Sequence, residues 1–159
     1  MPQAARSTRT IGSGPRAGQT FAVTTPTHVS ALYEFAGGAS AQTLFSFDSA
    51  VKRTQLEVAG ETGTIVVPDP NTFEGDVEIH RTDGTVDTVP AAGPTTTRGS
   101  GVLELARAIR AGRTERAAGE LGFHVLDVMA STLESGERGE SVAITSSVDV
   151  GPLLPQDWD

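Results

Sequence analysis

The chain contains no cysteine, which excludes disulfides, thiol nucleophiles and thiolate metal sites. That absence fits a reducing compartment, and a cytoplasmic protein is the expectation. No apolar run approaches the roughly 18 residues of a membrane-spanning helix, so no membrane partner is expected. Basic residues number 12 against 20 acidic ones, for a net charge of −8. The arginines form no stripe interleaved with aromatics, so nucleic acid is not an expected partner either. Lysine is represented by Lys52 alone, in the context AVKRT. Residues 1–10, MPQAARSTRT, offer no apolar segment for a core strand or a signal-peptide centre, and this acid-free start lacks the amphipathic period of a transit peptide. A flexible, non-targeting segment over residues 1–19 is the expectation.

What is plentiful is glycine and proline, 18 and 9 in a chain of 159 residues, enough length for one domain with a core and many turns. The run Ile11–Gly18, IGSGPRAG, has the colour of a phosphate-cradling loop. Such a loop needs a buried strand before it and a helix after it, because the amides at the helix start hold the pyrophosphate. Pro15 removes one of those amides, the third glycine falls one residue late, and the following QTFAVTTPT favours extended chain. The run therefore reads as a loop, not as a dinucleotide site.

From Phe21 the sequence alternates. In His28–Phe35, HVSALYEF, residues Val29, Ala31, Tyr33 and Phe35 share a face; Gly37-Gly38 turns the chain into ASAQTLFSF with the same period. Further strands are expected in QLEVAG, in TIVVP after the Glu61–Gly63 turn, and on either side of Asp83-Gly84, a strong hairpin signal. Asp69-Pro70-Asn71 reads as a turn. Helices come late. Ser100 is the expected N-cap of the first, with Val102, Leu105, Ala106 and Ile109 as its apolar stripe and Gly112 as its stop. The second is expected over about 117–135, with Leu121, Val125, Val128 and Thr132 on one face and Leu126, Met129 and Leu133 widening it. A last strand is expected at 141–145, SVAIT, before a trailing tail, residues 147–159.

Strands, then two helices, then a strand imply an α+β fold: an open-faced, largely antiparallel sheet with two main helices packed on one face. The other face of the first hairpin carries Ser30, Leu32, Gln42, Leu44 and Ser46. Small polar residues among aliphatics suit a subunit interface, and a wet sheet face reads equally well.

Three runs, PTHVSALYEFAGGASAQTLFSFD, LEVAGETGTIVVPDPNTFEG and RGSGVLELARAIRAGRTERAAGELGFHVLDVMASTLESGERGESVAI, together resemble the carboxy-terminal domain of the Gfo/Idh/MocA oxidoreductases. The likeness covers roughly residues 10–146 and places the domain at residues 20–146. It implies a substrate-side and oligomerisation domain whose complete relatives add a Rossmann domain for NAD or NADP. The Glu-Lys-Pro motif and the Asp/His pair of such enzymes have no counterpart here, so no catalytic or cofactor-binding residue is assigned, and this chain alone is expected to bind no cofactor. A homo-oligomer formed through the exposed sheet face and a separate Rossmann-domain subunit are the implied partners. A non-enzymatic binding or scaffold module derived from that domain is the alternative.

For chemistry of its own, hydride transfer needs a carrier that side chains do not supply. His124, Asp127 and Ser131 share one helix, but His124 and Ser131 lie about 10 Å apart along its axis, beyond the reach of a base. His124 with Asp127 reads as an i,i+3 helical pair. His28, His80 and His124 fall on separate elements, so no metal site is expected. The substrate-facing candidates are His28 at the entry of the first long strand, Asp48 after FSF, and Arg98 before the first helix.

Overall fold

The computed structural model describes residues 7–94 and 96–158. The fold is α+β: among the described residues, eight strands paired antiparallel in three open sheets are followed by two helices. Where alternation alone suggests one sheet, the ladder is cut in two places. Pro26 brings no amide to the chain entering the first long strand, and residues 49–55, SAVKRTQ, run without regular structure. Each hairpin closes on its sequence neighbour, so three local sheets result. The chain divides into two compact units, one comprising Met1–Val51 with Gly122–Val148, the other Lys52–Leu121 with Asp149–Asp159.

In the first unit β1 (Thr8–Thr10) pairs with β2 (Thr20–Ala22), Thr8 opposite Ala22. Within the expected flexible lead-in, residues 1–6 lie outside the described residues, and residues 8–19 instead form the first strand and the loop of a hairpin, IGSGPRAG being most of that loop. Ile11 N–H donates to the Gln19 carbonyl at 2.9 Å and Gly18 N–H to the Ile11 carbonyl at 2.8 Å. Gly14 and Gly18 take φ of 81° and 85°, the left-handed region that turns the loop.

The longer hairpin joins β3 (His28–Glu34) to β4 (Ser40–Ser46), with His28 opposite Ser46 and Leu32 opposite Gln42. Its turn uses Gly38 at φ 86°. Tyr33 on the inner face reaches helix α2 (Gly119–Arg138), which belongs to this unit from Gly122 onward. The Thr132 hydroxyl gives its one proton to the Val128 carbonyl at 2.7 Å, so Tyr33 is the donor in its 2.9 Å bond to Thr132 Oγ1. The helix runs through Gly136 and ends at Gly139, φ 71°. Leu126, Met129 and Leu133, expected to widen its packed face, are exposed. The expected strand at 141–145 does not form a ladder. That segment is instead tied to α2, by the Ser135 hydroxyl on the Glu140 carbonyl at 2.7 Å and by contacts at Ser146 described below.

The second unit holds the four-stranded meander β5 (Leu56–Gly60), β6 (Gly63–Val67), β7 (Val77–Arg81) and β8 (Val86–Val89) in chain order. Asp83-Gly84 makes the β7–β8 turn: Gly84 has φ 87°, and the Asp83 carboxylate accepts the Thr85 N–H at 2.9 Å. Asn71 N–H on the Asp69 carboxylate at 2.9 Å builds the expected turn there. Helix α1 (Ser100–Ala111) starts not from a serine cap but from Gly99 at φ 102°, because the Ser100 hydroxyl is spent accepting the Thr97 N–H at 2.9 Å. Gly112 ends it in the left-handed region, as expected. Its expected stripe points outward: Val102 is 73% and Ile109 70% exposed, while Glu104 and Ala108, one turn apart, are buried. Glu104 is met by Arg113 and Arg116, and the supposed tail belongs to this unit, with Trp158 buried and the Arg107 guanidinium 5.0 Å from its ring centroid. Among the described residues no helix is long and apolar enough to cross a membrane.

Candidate functional site

The open end of the β3–β4 hairpin gathers two of the three residues singled out from sequence. Phe47 N–H donates to the Thr27 carbonyl at 2.8 Å, which extends the pairing one step past His28 and Ser46 and brings Asp48 beside Thr27. Thr27 is buried and its hydroxyl donates to an Asp48 carboxylate oxygen. The other carboxylate oxygen accepts Arg9 Nη2 at 2.9 Å, and the same guanidinium nitrogen donates to the Phe47 carbonyl at 2.7 Å. Arg9 also lies 5.8 Å from the centroid of the Phe47 ring. So β1 is clamped to the hairpin end by one arginine, and its sequence context, ARSTRT, announces nothing of the kind. Beside the clamp is a shallow depression of about 410 Å³ lined by Thr8, Arg9, Thr10 and Phe47. Its chemistry is threonine hydroxyls, a guanidinium already paired, and an exposed aromatic ring, a set suited to a small hydroxylated molecule and not to acid–base work, since Asp48 is committed to Arg9 and Thr27.

His28 stands at the same end, on the outer face of the hairpin with Ser30, Leu32, Gln42 and Leu44. That outer face is open: Leu32 is 68% and Leu44 65% exposed, and Ser30, Ala31, Leu32 and Gln42 line a second shallow depression of about 370 Å³. Arg98 belongs to the other unit. There it donates to Asn71, 3.2 Å to Oδ1 and 3.3 Å to the carbonyl, with the Phe73 ring centroid 5.9 Å away. Its guanidinium works as a loop brace.

The helical pair His124 and Asp127 meets at a residue the sequence did not suggest. Ser146 Oγ is 2.8 Å from His124 Nδ1, and Ser146 N–H donates to Asp127 Oδ2 at 3.1 Å. The Ser146 hydroxyl, then its amide, hold the Asp127 carboxyl below the usual aspartate range. The donor in the His124–Ser146 bond is set by the imidazole tautomer, while the Ser146 amide donates to Asp127. The cluster latches the 140–148 segment to α2. A serine some 20 residues beyond a His/Asp helix pair gives no local signal.

In the second unit a buried carboxylate organises three elements. Glu104, 5% exposed, accepts Arg113 Nη1 at 2.5 Å, Arg116 Nη1 at 2.8 Å and the Arg116 N–H at 3.2 Å. The Arg113 hydrogen bond chiefly, with those of Arg116, holds its pKa below the ordinary glutamate range against the opposing effect of desolvation. Arg116 continues outward, its Nε 3.0 Å from the Pro152 carbonyl and 3.3 Å from that of Leu153. A glutamate on the helix side opposite the apolar stripe, with two arginines just past the helix stop, was the readable sign of this cluster. Among the described residues no three histidine, aspartate or glutamate side chains converge as a metal site would need.

A nicotinamide dinucleotide does not fit the one glycine-rich candidate. IGSGPRAG joins two antiparallel strands, so no helix start points its amides at the loop, and Ile11 and Gly18 amides are already spent across it. No family model, curated protein or solved structure matches this chain.

Proposed function

We propose that the chain is the substrate-side and oligomerisation domain of an oxidoreductase resembling the Gfo/Idh/MocA group, working in the cytoplasm and redox-silent until another polypeptide brings NAD or NADP. The observation that carries this reading is the outer face of the β3–β4 hairpin, where Leu32 and Leu44 stand exposed among Ser30 and Gln42. Two leucines exposed on neighbouring strands, with small hydrogen-bonding neighbours and no charge between them, suit an interface better than a solvent face. Covering them contributes about 1.5–3 kcal/mol per fully buried leucine, and a homo-oligomer through this face supplies the cover. The Thr8, Thr10 and Phe47 depression is the surface we assign to substrate, next to His28 and Asp48 at the same hairpin end.

Light scattering on the wild-type chain is expected to give the mass of a dimer or a larger assembly, and Leu32→Asp with Leu44→Asp the mass of one chain with its circular dichroism unchanged. A single-chain mass for the wild type at high concentration removes the interface. Should assembly persist with no nicotinamide-binding partner able to confer turnover, the chain is a scaffold or binding module instead.

A further inference from the structure

We propose that the α1 face bearing Glu104, Arg107 and Ala108 is a socket for an extended, proline-spaced peptide with an aromatic anchor, and that residues 149–158 of the chain fill it in cis as a releasable strap. This inference does not rest on the redox reading. Recognition runs through three contacts. Arg116 Nε grips the backbone, at 3.0 and 3.3 Å from two successive carbonyls in the run Gly151-Pro-Leu-Leu-Pro155. Gly151 passes close to the socket wall: a Cβ there would sit 3.4 Å from the Arg116 carbonyl oxygen. Trp158 is the anchor, buried, with the Arg107 guanidinium 5.0 Å from its ring centroid, and its backbone N–H donates to the Pro155 carbonyl at 3.1 Å, closing a turn before the indole. Glu104 preorganises the socket by fixing Arg116 from behind, with Arg113 beside it. Carbonyls read by a fixed arginine and one aromatic in a pocket are the means by which proteins hold extended peptides.

The seating is incomplete in ways that make the strap exchangeable. It forms no ladder with any strand. Val150 and Leu153 are 82% and 91% exposed, so they bury almost nothing. The indole Nε1 is buried without an acceptor among the described residues.

The chain has one tryptophan, which makes the test direct. Full-length Trp158→Ala has no indole, so on adding the synthetic peptide GPLLPQDW all indole emission belongs to the peptide. A saturable blue shift is expected, with roughly fivefold weaker binding when Arg107→Ala is added. Emission that stays at the free-peptide position throughout overturns the proposal. If Trp158→Ala does not fold, native-state hydrogen exchange on the unaltered chain decides. The Trp158 amide is expected to exchange through a local opening that denaturant hardly affects, while β6 and β7 amides exchange by global unfolding. One shared, denaturant-dependent opening for all of them shows an integral strap and overturns the proposal.

Discussion

Single residues carry the long-range order of this chain. Arg9, Glu104 and Ser146 each tie together segments 12 or more positions distant in sequence, and none belongs to a motif. Such contacts were illegible beforehand because a lone charged or hydroxyl residue looks the same on a solvated loop as in a clamp. The sequence offered His28 and Asp48 only as separate candidates; the β3–β4 pairing brings them to one hairpin end, where Asp48 is spent on Arg9 and Thr27. Asp127 offers a pH test. Its carboxyl is held below the usual range by Ser146, so its contribution to stability is full above the unfolded aspartate value of about 3.9 and is lost as pH falls through the lower folded value. Urea titrations of wild type and Asp127→Asn are therefore expected to differ by more at about pH 6 than at about pH 3. An equal difference at both pH values contradicts the latch.

Secondary elements were the most readable level. Asp-Gly and Gly-Gly pairs fix hairpins locally, since only turns with positive φ join strands of the right twist, and Gly38 and Gly84 supply it. The helix stop at Gly112 follows from the same freedom. Periodicity misled where a helix is half-covered: α1 buries Glu104 and Ala108, and its most apolar stripe faces out. Apolar pattern names the side that wants cover, whereas Glu104 is drawn in by its ion pairs with Arg113 and Arg116. The meander depends on one small residue. A Cβ at Gly63 would lie 2.5 Å from the His80 backbone oxygen in the β6–β7 pairing. Gly63→Ala is expected to cost about 1–3 kcal/mol by forcing the ladder apart, read as a lower urea midpoint. An unchanged midpoint rules out that close approach. Gly84→Ala, strained only by its φ of 87°, is expected to cost less, about 1 kcal/mol.

At the scale of the whole molecule the balance between covered and exposed apolar surface is the main finding. Among the described residues Ala108 and Trp158 are the buried apolar side chains, while Leu32, Leu44, Val102, Ile109, Phe123 and Leu126 are all exposed. A chain of 159 residues has the length to bury a larger core than this, and under the proposed role the uncovered faces are the ones another polypeptide meets. That is the physical content of the proposed role: a sheet-bearing half that assembles and offers a shallow polar depression, with the electron carrier arriving elsewhere. The fold class was legible in the order of elements. Division into three sheets was not, because alternation marks strands without saying where a ladder is interrupted. The central claim is tested most directly by calorimetric titration of the purified chain with NADH and NADPH. No saturable heat is the predicted result, because the glycine-rich run is a hairpin loop whose Ile11 and Gly18 amides are spent across it and no helix follows it; saturable binding in the micromolar range contradicts it.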